Sequence, residues 1–509
     1  MVPAAKGKAL VAIDLGAQSC RVSLLRWRQN QPAIEIVHRF ENSPVSVAGR
    51  LFWDIQAIFE GVKTGLKRCC GIAREGIASI GVDGWAVDYV RLDALGNPAE
   101  LPFCYRDART EAAEDRVHTI VPESRLYSMT GIQILRINTL YQLYSDQIAG
   151  SDCSLPWLNF PEYIAYRLCG IRVSEFTNAT HTGLVALGTH SWCQQIFREL
   201  GLDLTAAPEI VPTGSLLGAL TGDLSALPAL RDARVIVPAC HDTASAIAAI
   251  PAAGNDWAFI SSGTWSLVGT VLDSPCTTND AHRLNFTNLG GVGGKSYFLK
   301  NVNGLWLLQQ CLSGWQSRDV HCSLEDLIEE CSSLPVPAAT IDVDDPLLML
   351  PGNTIEKINR QLQALGQRPF PTDCSSMAPL ANVIFHSMAE RYAEVLASIQ
   401  HTTGKKLKRL FIVGGGSRNH FLNQLTAQRT GLEVIVGATE STTIGNFAIQ
   451  AAVFDNDWTP AAGVTERSVA RWAELFSEDA CARSDSGESR ASRFLSSGSR
   501  RGLETHYEG

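Results

Sequence analysis

Two segments far apart in this chain follow one pattern. The first is Val11-Ala-Ile-Asp-Leu-Gly-Ala-Gln-Ser-Cys-Arg-Val22 and the second is Ala258-Phe-Ile-Ser-Ser-Gly-Thr-Trp-Ser-Leu-Val268. Each is an apolar or β-branched strand, a small-residue turn carrying hydroxyls, and a second strand entered at once. A unit that recurs in both halves implies that the second half rebuilds the architecture of the first.

Length agrees with that reading. The chain has 509 residues, 45% of them hydrophobic, and single domains usually stop growing near ~250 residues. We expect an N-terminal domain over 1–250, a C-terminal domain over 251–470 and a disordered tail over 471–509, where 484–509 is rich in Ser, Gly and Arg and poor in apolar residues. A net charge of −9 with 19% charged residues gives no basic stripe for a polyanion, so nucleic acid is not an expected partner. No run approaches the roughly 20 apolar residues of a membrane helix, and residues 1–8 carry no apolar leader segment. The fourteen cysteines are scattered without C-x-x-C pairs, as expected of reduced core thiols in a cytoplasmic protein, and adjacent Cys69 and Cys70 read as structural. Oligomeric state is bounded only to a monomer or small homo-oligomer.

Along the first half, strands are expected over 10–14, 21–27 and 34–39. A helix then starts at Trp53-Asp54, with Ile55, Ile58, Phe59, Val62 and Leu66 on one stripe. Strands follow over 77–82 and 87–92, which suits a mixed α/β sheet better than a simple βαβ unit. Residues 106–230 read as helix-rich and proline-punctuated, 234–239 as a strand, 241–250 as a helix and 251–255 as a linker. In the second half Ile384, Met388, Tyr392, Val395 and Ile399 mark a long amphipathic helix. A strand over 410–413 then ends in Gly414-Gly-Gly416, with a helix expected from Ser417.

The repeated turns present backbone N–H groups suited to phosphate oxygens, and between them lies Pro238-Ala-Cys-His-Asp-Thr-Ala-Ser-Ala246. Together they point to an ATP-dependent phosphotransferase, which needs donors around the phosphates, a divalent metal and a base for the accepting hydroxyl. Gly16 permits a tight turn, Gln18 and Ser19 can donate, and Asp14 can hold Mg²⁺ through water; a hairpin with a polar turn is the bland alternative. Asp242 is the candidate base, and equally a good helix N-cap. His241 and Thr243 would flank it as sugar-binding groups. Gly414-Gly-Gly416 allows close approach of a flat ligand or simply makes a tight turn. Asn301, at an expected helix start, and Gln309 are the polar positions of their segment.

These motifs resemble the FGGY carbohydrate kinases, within the actin/hexokinase/Hsp70-like ATPase superfamily. The resemblance is carried in order by Gly81-Val-Asp-Gly-Trp-Ala-Val-Asp-Tyr89, Tyr105-Arg-Asp-Ala-Arg-Thr110, Gly131-Ile-Gln133, Asn138-Thr-Leu-Tyr-Gln-Leu143, Phe176-Thr-Asn-Ala-Thr180, His241-Asp-Thr-Ala-Ser245, Ser261-Ser-Gly-Thr-Trp-Ser-Leu267, Lys300-Asn301 and Gly304-Leu-Trp-Leu-Leu-Gln309. It implies two actin-like (ribonuclease H-like) α/β domains with a nucleotide cleft between them. It implies Asp242 as proton acceptor, a ketose held by Ala86, His241, Asp242, Thr243 and Asn301, and ATP held by Ala17, Gln18, Ser19, Cys20, Arg21, Thr264, Gln309 and Gly415. Cys20 and Ala86 stand where the family usually has glycine. The activity implied is phosphorylation of L-rhamnulose at its C1 hydroxyl, with another ketose such as L-fuculose or a pentulose, or a non-catalytic ATP-binding clamp, as alternatives.

Overall fold

The computed structural model describes residues 7–316, 323–350, 352–371, 376–455, 458–459, 463–484 and 493–494. Its first strand, β1 (Ala9–Leu15), is buried along its whole length, as a central strand covered on both faces must be. The turn at 16–18 reverses the chain into β2 (Ser19–Arg28), and Gln29 and Asn30, both at positive φ (52° and 65°), reverse it again into β3 (Gln31–Glu41). Helix α1 (Ile55–Ile72) is capped by the Asp54 carboxylate, which accepts from the Ala57 N–H at 2.9 Å, and it buries the expected stripe. It leads to β4 (Ile77–Gly84), parallel to β1 with Asp83 opposite Asp14. Strands β5 (Leu216–Ala219) and β6 (Arg234–Ile236) complete a six-stranded sheet in the order β5-β6-β4-β1-β2-β3. Helix α2 (Asp242–Ala248) follows.

Past 251–255, which lies in no regular element, the same plan repeats. Strands β7 (Trp257–Ser262), β8 (Trp265–Leu272), β9 (Thr287–Gly290) and β10 (Ser296–Asn303) precede helices α3 (Trp306–Gln316) and α4 (Met377–Thr403). Strand β11 (Arg409–Val413), helix α5 (His420–Thr430), strand β12 (Glu433–Val436) and helix α6 (Ser441–Phe454) come next. The second sheet runs β9-β10-β8-β7-β11-β12, with Arg493–Phe494 on its edge. Antiparallel β7-β8-β10 matches β1-β2-β3, and parallel β11 and β12 match β4 and β6. The two-domain α/β architecture expected from the repeated hairpins is therefore observed.

The halves are tied crosswise. Helix α6 of the second half packs on β1 and β4 of the first, while α2 of the first packs on β7 of the second. The two helices touch where Gly445 meets the Ser245 carbonyl; a Cβ there would sit 1.8 Å from that oxygen. The seam is polar in part. Gln450 accepts from the Ser79 hydroxyl at 2.6 Å and donates to the Val11 carbonyl at 2.9 Å, and Asn446 donates to Asp83 at 2.5 Å.

Two expectations are corrected. The packed core does not end at 470: helix α7 (Glu466–Ser484) buries Trp472, Ala473 and Phe476, with Trp472 edge-on to Trp27 at 6.0 Å. A four-residue spacing of large apolar groups built that stripe in a segment whose polar residues hid it. The rest of the expected tail, 485–492 and 495–509, lies outside the described residues. After β11 the chain makes a single 3₁₀ turn, Gly415–Arg418, before α5 begins, because the Asn419 side chain caps that helix by accepting from the Leu422 N–H at 3.0 Å.

Candidate active site

A cavity of about 420 Å³ lies between the halves, and both repeated turns, the start of α2, the β10 strand end and the Gly414-Gly-Gly416 turn line it. Gly16 is required by close approach: a Cβ would stand 2.4 Å from the Ser19 carbonyl. Gly414, at φ +85°, and Gly416 tuck against Ser262, and a Cβ on Gly416 would meet the Ser262 hydroxyl at 2.1 Å. Gly415 faces open space. The buried Ser19 hydroxyl lines this cavity and has no partner in the protein, which leaves a donor for a phosphate-bearing ligand, while the Ser262 hydroxyl lies against Tyr392. Gln18 and Gln309 pair their amides across the cleft at 2.6 and 3.2 Å. Arg21 spans Asp14 at 3.0 Å and Glu440 at 3.2 Å.

Behind the turns stand three carboxylates on β1, β4 and the start of α2. Burial raises Asp14 to about 6, opposed by Arg21. Burial and then the charge of Asp14 raise Asp83 well above the carboxylate range, and one of its oxygens has no partner. Burial and then Asp14 raise half-buried Asp242 to about 7. A base poised near neutrality inside a cleft is what proton abstraction from a hydroxyl needs. Among the described residues no three His, Cys, Asp or Glu side chains converge on one metal point. The donor set fits a hard cation that takes one carboxylate and completes its shell with phosphate oxygens and water.

On the other side of Asp242 the wall is apolar. Trp85 packs on Trp53 and Phe160 at 4.7 and 4.9 Å between centroids, and both indole N–H groups donate to buried Asp88, at 3.0 and 2.6 Å. Val87, beside Ala86, is held at φ 73°, a costly state for a β-branched residue. Its carbonyl accepts from Thr139 and Gln142 at 2.7 and 3.2 Å, which fixes the strained loop. The Thr243 and Ser261 hydroxyls lie 3.4 Å apart. Asn301 donates to Gln133 from its backbone N–H at 2.9 Å and its side-chain amide at 2.8 Å, and its carbonyl accepts from the Gln133 amide at 3.5 Å.

Asp14, Ala17, Gln18, Ser19, Arg21, Ala86, His241, Asp242, Thr243, Thr264, Asn301, Gln309 and Gly415 all line the one cavity. Cys20 does not. It is 0% exposed, its thiol lies 3.8 Å from the Gly16 carbonyl among core residues, and its φ is not positive. Strand alternation turns position 20 inward while 19 and 21 face the cleft. Ala86 is likewise free of positive φ; the strain sits at Val87. Two placements are corrected. Asn301 is on strand β10, opposite Leu267, rather than at a helix start. Asp242 is the first residue of α2 rather than its cap, which is His241. Residue patterns alone missed Asp83, Gln133 and His181. All three sit in or beside the quoted motifs, yet only register and folding bring Gln133 and His181 to the cleft and Asp83 behind it, opposite Asp14.

Residues 9–249 match the N-terminal domain of the FGGY family of carbohydrate kinases, and residues 258–454 its C-terminal domain. The chain belongs to this family and is a phosphotransferase acting on carbohydrate. Its relatives include the rhamnulokinase of Bacteroides thetaiotaomicron, 36% identical and aligned over 86% of this chain and 90% of the relative. The rhamnulokinases of Halalkalibacterium halodurans (37% identical, 86% and 92% covered) and Pectobacterium carotovorum (38%, 87% and 88%) are similar in the same way. The ligand-bound xylulose kinase of Lactobacillus acidophilus shares the fold at a TM-score of 0.70 with 15% identity, over 94% of this chain and 98% of that one. The glycerol kinase of Plasmodium falciparum with ADP does so at 0.70 and 13%, over 96% and 94%. Among the described residues no helix is long and apolar enough to cross a membrane, and every described cysteine is a free thiol.

Proposed function

We propose that this enzyme transfers the terminal phosphoryl group of ATP to the C1 hydroxyl of L-rhamnulose, giving L-rhamnulose 1-phosphate and ADP. The substrate reading is supported by relatives that are rhamnulokinases over most of both chains. The chemical reading rests on one observation: Asp242, at about 7, stands in one cavity between the unpartnered Ser19 hydroxyl on the phosphate side and the Trp85–Ala86 wall on the other.

In this reading Asp242 accepts the proton of the attacking hydroxyl. His241, Thr243 and Asn301 orient the ketose, with Gln133 holding Asn301, and the Trp85–Ala86 wall receives its C6 methyl. The turn at 16–18, Arg21, Thr264, Gln309 and Gly415 hold the nucleotide. Mg²⁺ bound with the phosphates would neutralise their developing charge, and Asp14 is the residue to hold it through water. Residues 1–250 then supply the sugar side and 251–470, with α7, the adenosine side. Closure of the halves excludes water from the transfer.

A coupled ADP-release assay over a ketose panel tests this. L-rhamnulose should give the highest kcat/KM, with other ketoses at least roughly tenfold lower. A higher value for L-fuculose, L-ribulose or D-xylulose sinks the substrate reading and leaves the kinase intact.

A further inference from the structure

His181 lines the cleft next to His241. It follows the short helix Phe176–Thr180, is 7% exposed, and its carbonyl accepts from the Asn138 amide at 3.2 Å, which holds the loop. Its Nε2 lies 3.1 Å from His241 Nδ1, and His241 Nε2 lies 3.3 Å from Asp242 Oδ1. The rings meet edge to face with centroids 4.0 Å apart. Three groups on two separate segments thus form a chain that ends on the candidate base.

With Asp242 ionised, the protons in that chain follow by elimination. Both rings are neutral: burial holds His181 down at about 3, and burial together with the neighbouring ring holds His241 well below its ordinary value. A neutral imidazole has one N–H and one lone pair. An ionised carboxylate only accepts, so His241 must carry its proton on Nε2. Its Nδ1 is then a lone pair that needs a donor, and the fold puts His181 Nε2 there. In the opposite tautomer a lone pair would face the Asp242 carboxylate, repel it and favour the protonated acid, which is useless as a base.

We propose that His181 is a positioning residue, whose Nε2–H fixes His241 as the Nε2–H tautomer and so keeps Asp242 ionised and aimed at the accepting hydroxyl. This rests on Asp242 being the proton acceptor. The charged and titratable groups around the chain are Asp14 on β1, Asp83 on β4, Arg21 on β2, and Glu175 and Glu162 beneath the Phe176–Thr180 helix. Glu175 accepts from the Cys240 N–H at 2.9 Å and from the Thr177 hydroxyl at 2.6 Å, and Glu162 accepts from Asn178 at 2.8 Å. None of them bonds to His181, so exchange of that ring leaves their contacts in place.

The test compares His181→Leu with His181→Gln, using whichever ketose the wild type phosphorylates best. Gln places an amide N–H where Nε2 was; Leu fills the space without a donor. His181→Leu should lower kcat by about tenfold or more, since a wrong tautomer disables a base whose geometry is otherwise intact. It should also move the acid limb of kcat/KM to higher pH and leave KM for ATP unchanged, and His181→Gln should recover most of both effects. A wild-type acid limb in His181→Leu, or a Gln variant as impaired as Leu, overturns the proposal. In protein labelled with ¹⁵N-histidine, His241 should be protonated on Nε2 in the wild type and mixed in His181→Leu; a wild-type His241 protonated on Nδ1 overturns it without any turnover measurement. Normal turnover by Asp242→Asn would remove the base reading and this proposal together. An inert Asp242→Asn beside an unaffected His181→Leu would remove this proposal alone.

Discussion

At the scale of single residues, Asp242 carries opposite consequences for activity and for stability. Asp242→Asn keeps shape but takes no proton, so turnover should fall by about 10²-fold or more while ATP still binds; near-normal turnover would remove Asp242 from the chemistry. With its carboxyl raised to about 7, wild-type kcat/KM should drop tenfold per pH unit below that point. Stability runs the other way. The folded pKa exceeds the ordinary 3.8, so the folded state disfavours the ionised form and stability is lost as pH rises from about 4 to about 7. Asp242→Asn should therefore melt higher than wild type at pH 8 and level with it at pH 4; the reverse order would contradict the buried-carboxylate reading. Cys20→Gly should leave KM for ATP unchanged and cost about 1–2 kcal/mol of stability, from glycine in a strand and a lost buried side chain. A changed KM would return that thiol to the nucleotide. Most cleft residues were legible because turn glycines, hydroxyls and an aspartate at a helix start have local signatures. The Cys20 side chain points into the core, because strand parity decides which neighbour's side chain faces a ligand, and a list of consecutive residues ignores parity.

Among the secondary elements, the hairpins, α1 and α4 were legible from periodicity, since each has a buried stripe or a covered strand of its own. The α2–α6 contact was not. Its determinant is Gly445 against the Ser245 carbonyl, a meeting of residues from different halves with no periodic trace. Gly445→Ala forces a methyl into backbone and should lower the thermal midpoint by the equivalent of about 1–3 kcal/mol. It should also raise KM for both substrates, because the helices it separates position the two sides of the cleft. A variant as stable and active as wild type would mean that the crossing is loose. Asn301 illustrates the same limit: its motif was read as polar and it lines the cleft, but strand β10 continues to Asn303, and only pairing with β8 reveals that.

For the whole molecule, the repeat announced two α/β domains, and the folded chain has them. The end of the fold was hidden because Trp472 and Phe476 sit among charged residues, and their stripe is intelligible only against Trp27 and the core that α7 covers. Truncation after 470 should lower the melting temperature by several degrees and expose apolar surface to a dye such as ANS; an unchanged melt would make α7 an ornament. The seam between the halves has a different implication. Where Ser79, Val11 and Asp83 meet Gln450 and Asn446, a strip of amides and a hydroxyl runs beside the apolar cluster that holds Leu10, Ala12, Ile444, Phe447 and Ala448. Interlocked hydrocarbon ratchets, since each small slide opens voids. The amides add direction to that packing, since a shifted register would leave buried polar groups unpaired, so the strip works as a keyway between the halves. Asp83 belongs both to that keyway and to the carboxylates behind the phosphate turns, so the alignment of the halves and the charge of Asp14 bear on one side chain.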